Sequence, residues 1–341
     1  MIVFTCGATG GHVTPAIALA QELSDHNSVH FLTSSDRTDR DIVVQNRFKH
    51  TPLGPSPRRS WQYFFTFFKA FFALKKLNPS LIVSTGGGQT VPVLCVAILK
   101  KIPFVLLEQN VLPGRVNRLV ARFARRIYTS FDESASYFNH PVRCLGNPIR
   151  STFQEDTASQ KYATLDFPDF PKIVCFGGSQ GALLLNTIFK SQYAYFLQSP
   201  FVLIHITGKS FYNTHFKGSE TLLSNQASQL KVVVFPYFEK MDLLYQQAHL
   251  MICRSGATTM AELLHFGTSA ILVPFAQAKD NHQYLNASAF STLEAGIMIE
   301  EKDLTFKKIQ DHFKNPKPNH SRPNKAAWTI SQDILHLKSH G

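Results

Sequence analysis

The sequence predicts an α/β chain of two Rossmann-like domains, each a parallel sheet covered by helices on both faces. Three observations predict it. A length of 341 residues exceeds a comfortable single core, and 44% hydrophobic residues suffice for two. Short apolar strand runs alternate with helix-length segments, as in parallel sheets built from strand, helix, strand units. An opening of strand, glycine cluster and helix stands at the start of the chain and recurs near its middle.

The first strand is Ile2-Val3-Phe4-Thr5-Cys6, followed by glycines and an apolar helical stretch that Thr14-Pro15 leads into and that runs to Ala20. Further strands are expected at Val29-His30-Phe31-Leu32, Leu81-Ile82-Val83-Ser84 and Phe104-Val105-Leu106-Leu107. The pattern restarts at Lys172-Ile173-Val174-Cys175-Phe176. It continues through Val202-Leu203-Ile204-His205, Val232-Val233-Val234-Phe235 and Ala270-Ile271-Leu272-Val273. Residues 151–171 are polar with two prolines and read as the linker, and 314–324 as a loop before a last helix at 325–337.

Composition narrows the function classes. Five cysteines without CxxC or CxxH spacing suggest reduced thiols rather than a disulfide framework or zinc site. No basic, apolar leader opens the chain, and no uncharged apolar run reaches the ~18 to 20 residues of a membrane span. The net charge of +12 is uneven: residues 1–150 hold 18 Lys and Arg against 8 Asp and Glu, the remainder 17 against 15. A basic first half suits an anionic surface or ligand, and nucleic acid and acidic lipid both qualify.

Three glycine-rich loops follow strands: Gly7-Ala8-Thr9-Gly10-Gly11-His12, Thr85-Gly86-Gly87-Gly88-Gln89-Thr90 and Gly177-Gly178-Ser179-Gln180-Gly181-Ala182. Glycine lets backbone approach a ligand, and a helix N-terminus offers N–H groups to phosphate. One such loop is equally a tight turn, whereas three at strand ends would line the crevice where open α/β sheets bind ligands. A further loop, Cys253-Arg254-Ser255-Gly256-Ala257-Thr258-Thr259-Met260-Ala261-Glu262, enters a helix expected to stop near Gly267. Its amides and the Thr259 hydroxyl suit a diphosphate. Glu262 either accepts from ribose hydroxyls or is a plain dipole partner of the first turn. Asp280-Asn281-His282-Gln283 either bonds a sugar or caps a helix.

Taken in order over positions 7 to 283, the segments GATGGH, TGGGQT, LLEQN, GNPIR, GGSQGA, CRSGATTMAEL and VPF…KDNHQ resemble the MurG family. These are the transferases that move N-acetylglucosamine from UDP to undecaprenyl-pyrophosphoryl-MurNAc-pentapeptide, lipid I to lipid II, in peptidoglycan synthesis. The resemblance implies a GT-B fold, two Rossmann-like domains with a cleft between them. Residues 1–149 become the acceptor and membrane-associating domain, 150–324 the UDP-sugar domain, and a helix within 325–341 packs back on the first. It implies acceptor-side roles for Thr9, Gly10, Gly11, His12 and Asn110. On the donor side it implies Arg150, Ser179, Phe238, the 257–262 turn (Ala257, Thr258, Thr259, Met260, Ala261, Glu262), His282 and Gln283. Phe238 stands where the family presents backbone to uracil. Two positions depart from the pattern: Gly88 where tyrosine is common, and Leu107 where histidine is.

The family inverts configuration, which one displacement explains. His12 is the expected general base, with positioning of the acceptor as its rival role. The leaving UDP falls to the 255–259 helix start, Ser179 and Arg150; no obligatory cofactor is indicated, a divalent cation such as magnesium included. In the segment 58–76, Trp61, Phe64, Phe65, Phe68 and Phe72 form one helical stripe, with Tyr63, Phe67, Phe71 and Leu74 off it. Flanked by Arg58, Arg59, Lys75 and Lys76, and joined by Arg122, Arg125 and Arg126, the helix either lies in anionic headgroups or is a buried aromatic helix. The implied location is the cytoplasmic face of the bacterial inner membrane, with inner-membrane lipid and other cell-wall synthesis proteins as partners and no nucleic acid. A nucleotide-sugar epimerase is the nearest enzymatic alternative. A basic binding module without turnover leaves the glycine loops unexplained.

Overall fold

The computed structural model describes residues 1–7, 9–35, 37–55, 57, 59–150, 170–178, 181–216, 221–224, 230–293, 295–316 and 320–339. The chain divides into two compact units, 1–154 with 324–341 and 155–323. Most of the linker expected at 151–171 lies outside the described residues.

Unit 1 is built on β1 (Ile2–Thr5), β2 (Val29–Thr33), β3 (Lys49–Pro52), β4 (Leu81–Ser84), β5 (Phe104–Glu108), β6 (Arg126–Thr129) and β7 (Val142–Cys144). They pair in parallel in the order β3-β2-β1-β4-β5-β6-β7. Each central strand is buried on both faces because alternate residues feed two cores. Phe4, Val83, Val105 and Tyr128 join α1 (Gly10–Ser24) and the C-terminal helix (Ala326–Ser339) on one face. Val3, Ile82, Leu106 and Ile127 join α3 (Ser60–Leu77) and α4 (Val91–Leu99) on the other. Between β2 and β3 runs α2 (Arg37–Gln45), and α5 (Arg115–Val120) follows β5.

Two sequence expectations change here. Helix α1 starts at Gly10 instead of after Thr14-Pro15, and Pro15 sits inside it. Pro15 has no N–H to give the Gly11 carbonyl, yet the helix runs through it, and the glycines become the helix's first turn. Arg126, expected on the aromatic face, points the other way: it shares its sheet face with Tyr128 and pairs at 3.7 Å with Asp333 of the C-terminal helix. A residue next to Ile127 on a strand must face the opposite side.

Helix α3 is held at its start by the Gln62 side chain, which accepts from the Arg59 N–H at 3.0 Å, and ends on Asn78 in the left-handed region, φ 43°. Phe67, Phe71 and Leu74 enter the core. The stripe of Trp61, Phe64, Phe65, Phe68 and Phe72 stays 44% to 65% exposed, so the two aromatic sets sort as their spacing requires. Arg58 lies outside the described residues. Among the described residues no helix is long and apolar enough to cross a membrane.

Unit 2 repeats the plan with β8 (Lys172–Phe176), β9 (Val202–Ile206), β10 (Thr221–Ser224), β11 (Leu230–Phe235), β12 (Leu250–Cys253), β13 (Ala270–Leu272) and β14 (Gly296–Met298). The order is β10-β11-β9-β8-β12-β13-β14, parallel except for the β10–β11 pair. Its helices are α6 (Leu183–Ser191), α7 (Tyr193–Leu197), α8 (Lys209–His215), α9 (Met241–Gln247), α10 (Ala257–Phe266), α11 (His282–Thr292) and α12 (Phe306–Lys314). Helix α10 ends where its sequence requires, on Gly267 at φ 70°.

Candidate active site

In each sheet the chain order reverses once, between β1 and β4 and between β8 and β12. Neighbouring loops leave the carboxyl ends of such strands in opposite directions, which opens a crevice there. The glycine loops begin at these four strand ends: after Thr5 of β1, Ser84 of β4, Phe176 of β8 and Cys253 of β12.

At the unit 1 switch point, Thr9 is the N-cap of α1, and its carbonyl takes the N–H groups of both His12 and Val13, at 3.0 and 3.1 Å. The amides of Gly10 and Gly11 are then the ones the helix itself leaves without a partner. The imidazole of His12 lies half-buried across the second loop, Nδ1 2.8 Å from the Thr85 carbonyl oxygen. A carbonyl only accepts, so Nδ1 carries a hydrogen, and the neutral ring held this way has its lone pair on Nε2. Tight packing enforces this. A Cβ on Gly7 would stand 2.6 Å from His12 Cδ2, and one on Gly87 2.8 Å from the Gly7 Cα. Gly86 and Gly87 adopt φ of 80° and 95°, open to glycine at no cost.

Two buried carboxylates, neither singled out by the sequence reading, organise the surroundings. Glu108 ends β5 and accepts from the Asn110 N–H at 3.0 Å, the Gly114 N–H at 2.9 Å and Asn117 Nδ2 at 2.8 Å. It fixes the loop that carries Asn110, whose carbonyl takes the Ser134 hydroxyl. Asp39 accepts from Ser34 N and Oγ at 2.7 and 2.6 Å and lies 3.4 Å from Gln89 Nε2, which also bonds the Cys6 carbonyl. Burial, then Asp39, push the Cys6 thiol far above its ordinary pKa, so it is inert packing. Leu107, where the family pattern has histidine, is core. An acid inside an otherwise apolar strand was the available signal for Glu108.

In unit 2, α10 begins at Ala257 after the N-cap Gly256. Met260 and Ala257 turn their side chains into the core, so they offer backbone alone. Thr258, Thr259 and Ala261 are half-buried, with Thr259 Oγ1 near the helix start, 3.8 Å from a Cβ built on Gly256. Glu262 lies beyond the first turn, which removes the dipole-partner reading, and its buried carboxylate accepts from the Tyr245 hydroxyl at 2.8 Å. The starts of α10 and α11 are tied together: Ser255 Oγ donates to the Gln283 carbonyl at 2.6 Å, and Gln283 Oε1 accepts from the Phe275 N–H at 2.9 Å. His282 is half-buried on the first turn of α11. Asn281 takes the N-cap position with no side-chain cap bond. Arg254, buried, bonds the carbonyls of Val273 and Pro274 at 3.1 and 3.3 Å and pairs with Glu301, pinning the β13 loop beside α10.

Phe238 is buried, with its ring edge-on against Phe235. Arg150 is exposed at the end of the described part of unit 1, and Ser179 lies outside the described residues. Thr9, Gly10, Gly11 and His12 thus lie together at the start of α1 and Asn110 after β5, all on unit 1, while Phe238 follows β11 and the 257–262 turn and Gln283 lie at the tied starts of α10 and α11, with His282, on unit 2. Among the described residues no group of His, Cys, Asp and Glu is arranged to hold a metal ion.

Comparison with known proteins matches this architecture. Residues 2–129 match the glycosyltransferase family 28 N-terminal domain and residues 172–335 its C-terminal domain. A Halothermothrix orenii UDP-N-acetylglucosamine--N-acetylmuramyl-(pentapeptide) pyrophosphoryl-undecaprenol N-acetylglucosamine transferase is 34% identical over 90% of this chain and 88% of its own. A Thermoanaerobacter sp. (strain X514) protein of the same name is 34% identical over 92% and 91%. The crystal structure of Acinetobacter baumannii MurG superposes with a TM-score of 0.73 at 23% identity, covering 98% of this chain and 99% of that one. A Neisseria meningitidis UDP-GlcNAc 2-epimerase reaches 0.69 at 14%, covering 98% and 100%, a likeness of fold alone. With both family 28 domains in place and curated relatives above 30% identity along nearly its whole length, the chain belongs to the UDP-N-acetylglucosamine--N-acetylmuramyl-(pentapeptide) pyrophosphoryl-undecaprenol N-acetylglucosamine transferase family of GT-B glycosyltransferases.

Proposed function

We propose that this protein transfers N-acetylglucosamine from UDP to the muramyl sugar of undecaprenyl-pyrophosphoryl-MurNAc-pentapeptide, working from the cytoplasmic face of the bacterial inner membrane. The observation that carries the mechanism is the His12–Thr85 bond: with Nδ1 donating at 2.8 Å to a backbone carbonyl, the basic Nε2 is the nitrogen turned to a ligand. In the transfer, His12 Nε2 takes the proton of the acceptor hydroxyl as its oxygen bonds the anomeric carbon. The bond from that carbon to the diphosphate breaks on the opposite side, inverting configuration, and UDP departs with the electron pair.

The departing diphosphate is met by the amides of the first turn of α10, with the Thr258 and Thr259 hydroxyls beside them. Glu262, held by Tyr245, accepts from the ribose, and the main chain at Phe238 from the uracil edge. Arg150, Ser179, His282 and Gln283 complete the donor side. Charge on the leaving group is handled by these fixed dipoles, so transfer proceeds without an obligatory metal ion, and chelation leaves it intact.

Membrane attachment is assigned to α3. Its exposed stripe of Trp61, Phe64, Phe65, Phe68 and Phe72 inserts among headgroups, with Lys75, Lys76 and Arg122 on anionic lipid at about 1 kcal/mol each. Binding to anionic vesicles then weakens with salt and with Phe64→Ser/Phe68→Ser. The whole reading is tested with radiolabelled UDP-N-acetylglucosamine and a short-chain lipid-linked muramyl acceptor. Inverted disaccharide product is expected, with UDP released only when acceptor is present. UDP release or sugar epimerisation without acceptor would refute it.

A further inference from the structure

Helix α3 carries, beside its exposed aromatic stripe, a residue of different character. Tyr63 is half-buried, and its hydroxyl stands 3.1 Å from where a Cβ on Gly88 would lie. Among the described residues the phenol oxygen makes no hydrogen bond. A tyrosine that packs its ring and leaves its hydroxyl without a protein partner presents that hydroxyl to solvent or ligand. Gly88 is exposed and outside the left-handed region, so its backbone does not demand glycine. Its lack of a side chain is what lets the phenol reach over the loop.

That loop is the one that orients the proposed base. Thr85 bonds His12, and Gly87 packs on Gly7 so closely that a Cβ would meet the Gly7 Cα at 2.8 Å. Within unit 1 the features therefore follow one another: exposed aromatics of α3, the Tyr63 hydroxyl, the Gly86–Gly88 turn, then His12 and the start of α1. A lipid-linked sugar has the same order: aliphatic chain, diphosphate, sugar hydroxyl. We infer that Tyr63 is an acceptor-binding residue whose hydroxyl donates a hydrogen bond to the diphosphate joining the acceptor's sugar to its lipid. This rests on the acceptor class proposed above.

The test uses the full-length protein, UDP-N-acetylglucosamine and a short-chain lipid-linked muramyl acceptor. Tyr63→Phe removes one oxygen and raises the acceptor KM about 10-fold, as loss of a hydrogen bond to a charged group does, with kcat and the donor KM within about twofold. The inhibition constant of a short-chain prenyl diphosphate rises by the same factor. Gly88→Ala pushes on the phenol and raises the acceptor KM in the parent but adds nothing in Tyr63→Phe, so the two changes are non-additive. An unchanged acceptor KM in Tyr63→Phe overturns the inference. A raised KM with unchanged prenyl diphosphate inhibition overturns the diphosphate contact, placing the bond on sugar or peptide. Weaker binding of Tyr63→Phe to acceptor-free anionic vesicles also overturns it, because the hydroxyl would then serve lipid headgroups. An inactive parent enzyme sinks the proposed function, and the Tyr63 assignment is then decided by direct binding of the prenyl diphosphate, which Tyr63→Phe must weaken about 10-fold if the assignment is to stand.

Discussion

Gly7→Ala perturbs the proposed base without touching it. Gly7 does not occupy the left-handed region, so alanine meets no backbone obstacle. The obstacle is the imidazole: the new methyl would lie 2.6 Å from His12 Cδ2, 3.0 Å from Cγ and 3.3 Å from the Gly86 carbonyl. Carbon atoms rest about 3.5 to 4.0 Å apart, so the ring must retreat about 1 Å. Both crowded atoms lie in the ring and not at the tip of a flexible chain. The same retreat stretches the 2.8 Å bond from Nδ1 to Thr85 past useful hydrogen-bond length, and Nε2 loses its fixed aim. Misplacing a reacting group by about 1 Å costs on the order of 10²-fold in kcat, about 2.7 kcal/mol of barrier. Steady-state kinetics in both substrates, with a thermal melt to show the variant is folded, measure the effect. His12→Ala should cost at least as much, and the double variant no more than His12→Ala alone, because both act through one group. A folded Gly7→Ala enzyme with kcat within about twofold of the parent would refute the claim that the ring's position serves catalysis.

Three further outcomes follow from the same geometry. Asp333→Ala strips the partner from the buried Tyr128 hydroxyl, 2.7 Å away, and from Arg126 and Arg143, which are partly exposed and count for less. A loss of about 2 kcal/mol is expected, read as a melting shift of about 4 to 8 °C and earlier proteolysis of the C-terminal helix. His205 is buried between the Tyr193 hydroxyl at 2.7 Å and Asn186 Oδ1 at 3.1 Å, and burial pushes its pKa down to about 3. The unfolded chain takes up a proton near pH 6.5 that the folded chain refuses. Stability is therefore full above pH 6.5 and falls with acid at up to about 1.4 kcal/mol per pH unit towards pH 3, a slope that urea melts should show and that His205→Gln should flatten. Glu262→Gln should raise the donor KM and erase the preference for UDP over its 2′-deoxy and 3′-deoxy analogues in calorimetry, while the acceptor KM holds; retained preference would remove Glu262 from the ribose.

Most apolar strands were legible because burial on both faces writes continuous runs such as Ile82-Val83 and Ile173-Val174-Cys175 into the sequence, although the equally buried Leu250-Met251-Ile252-Cys253 of β12 was passed over. Outer strands were not. In β3, Lys-His-Thr-Pro is half-exposed, and β6 begins with an arginine that is explained only by Asp333, far along the chain. Helix α1 was misplaced because Pro15 reads locally as a first-turn residue, whereas packing against the sheet and the C-terminal helix carries the helix one turn back. On the site, the motifs named His12 and Glu262 but not what holds them. Thr85 holds His12 across 73 residues and Tyr245 holds Glu262 across 17, contacts between separate segments that spacing in sequence does not report.

Glycine content marks close approach without saying what approaches. Cβ atoms on Gly7, Gly86, Gly87, Gly177 and Gly181 would strike the protein itself, so internal packing already accounts for them. Gly11 differs: a Cβ there meets nothing within 4 Å, and the residue is exposed in the first turn of α1. Gly11→Ala should therefore be accepted by the protein alone, and should stabilise it by up to about 1 kcal/mol, since alanine loses less freedom than glycine on entering a helix. If the α1 start receives the acceptor, the added methyl stands between ligand and amides, and the acceptor KM rises while the melting temperature holds or climbs. Stability and binding moving in opposite directions is the signature of a glycine kept for a ligand. An acceptor KM equal to the parent's would mean that this turn faces solvent throughout the reaction, and the acceptor would have to be sought away from the β1–β4 switch point.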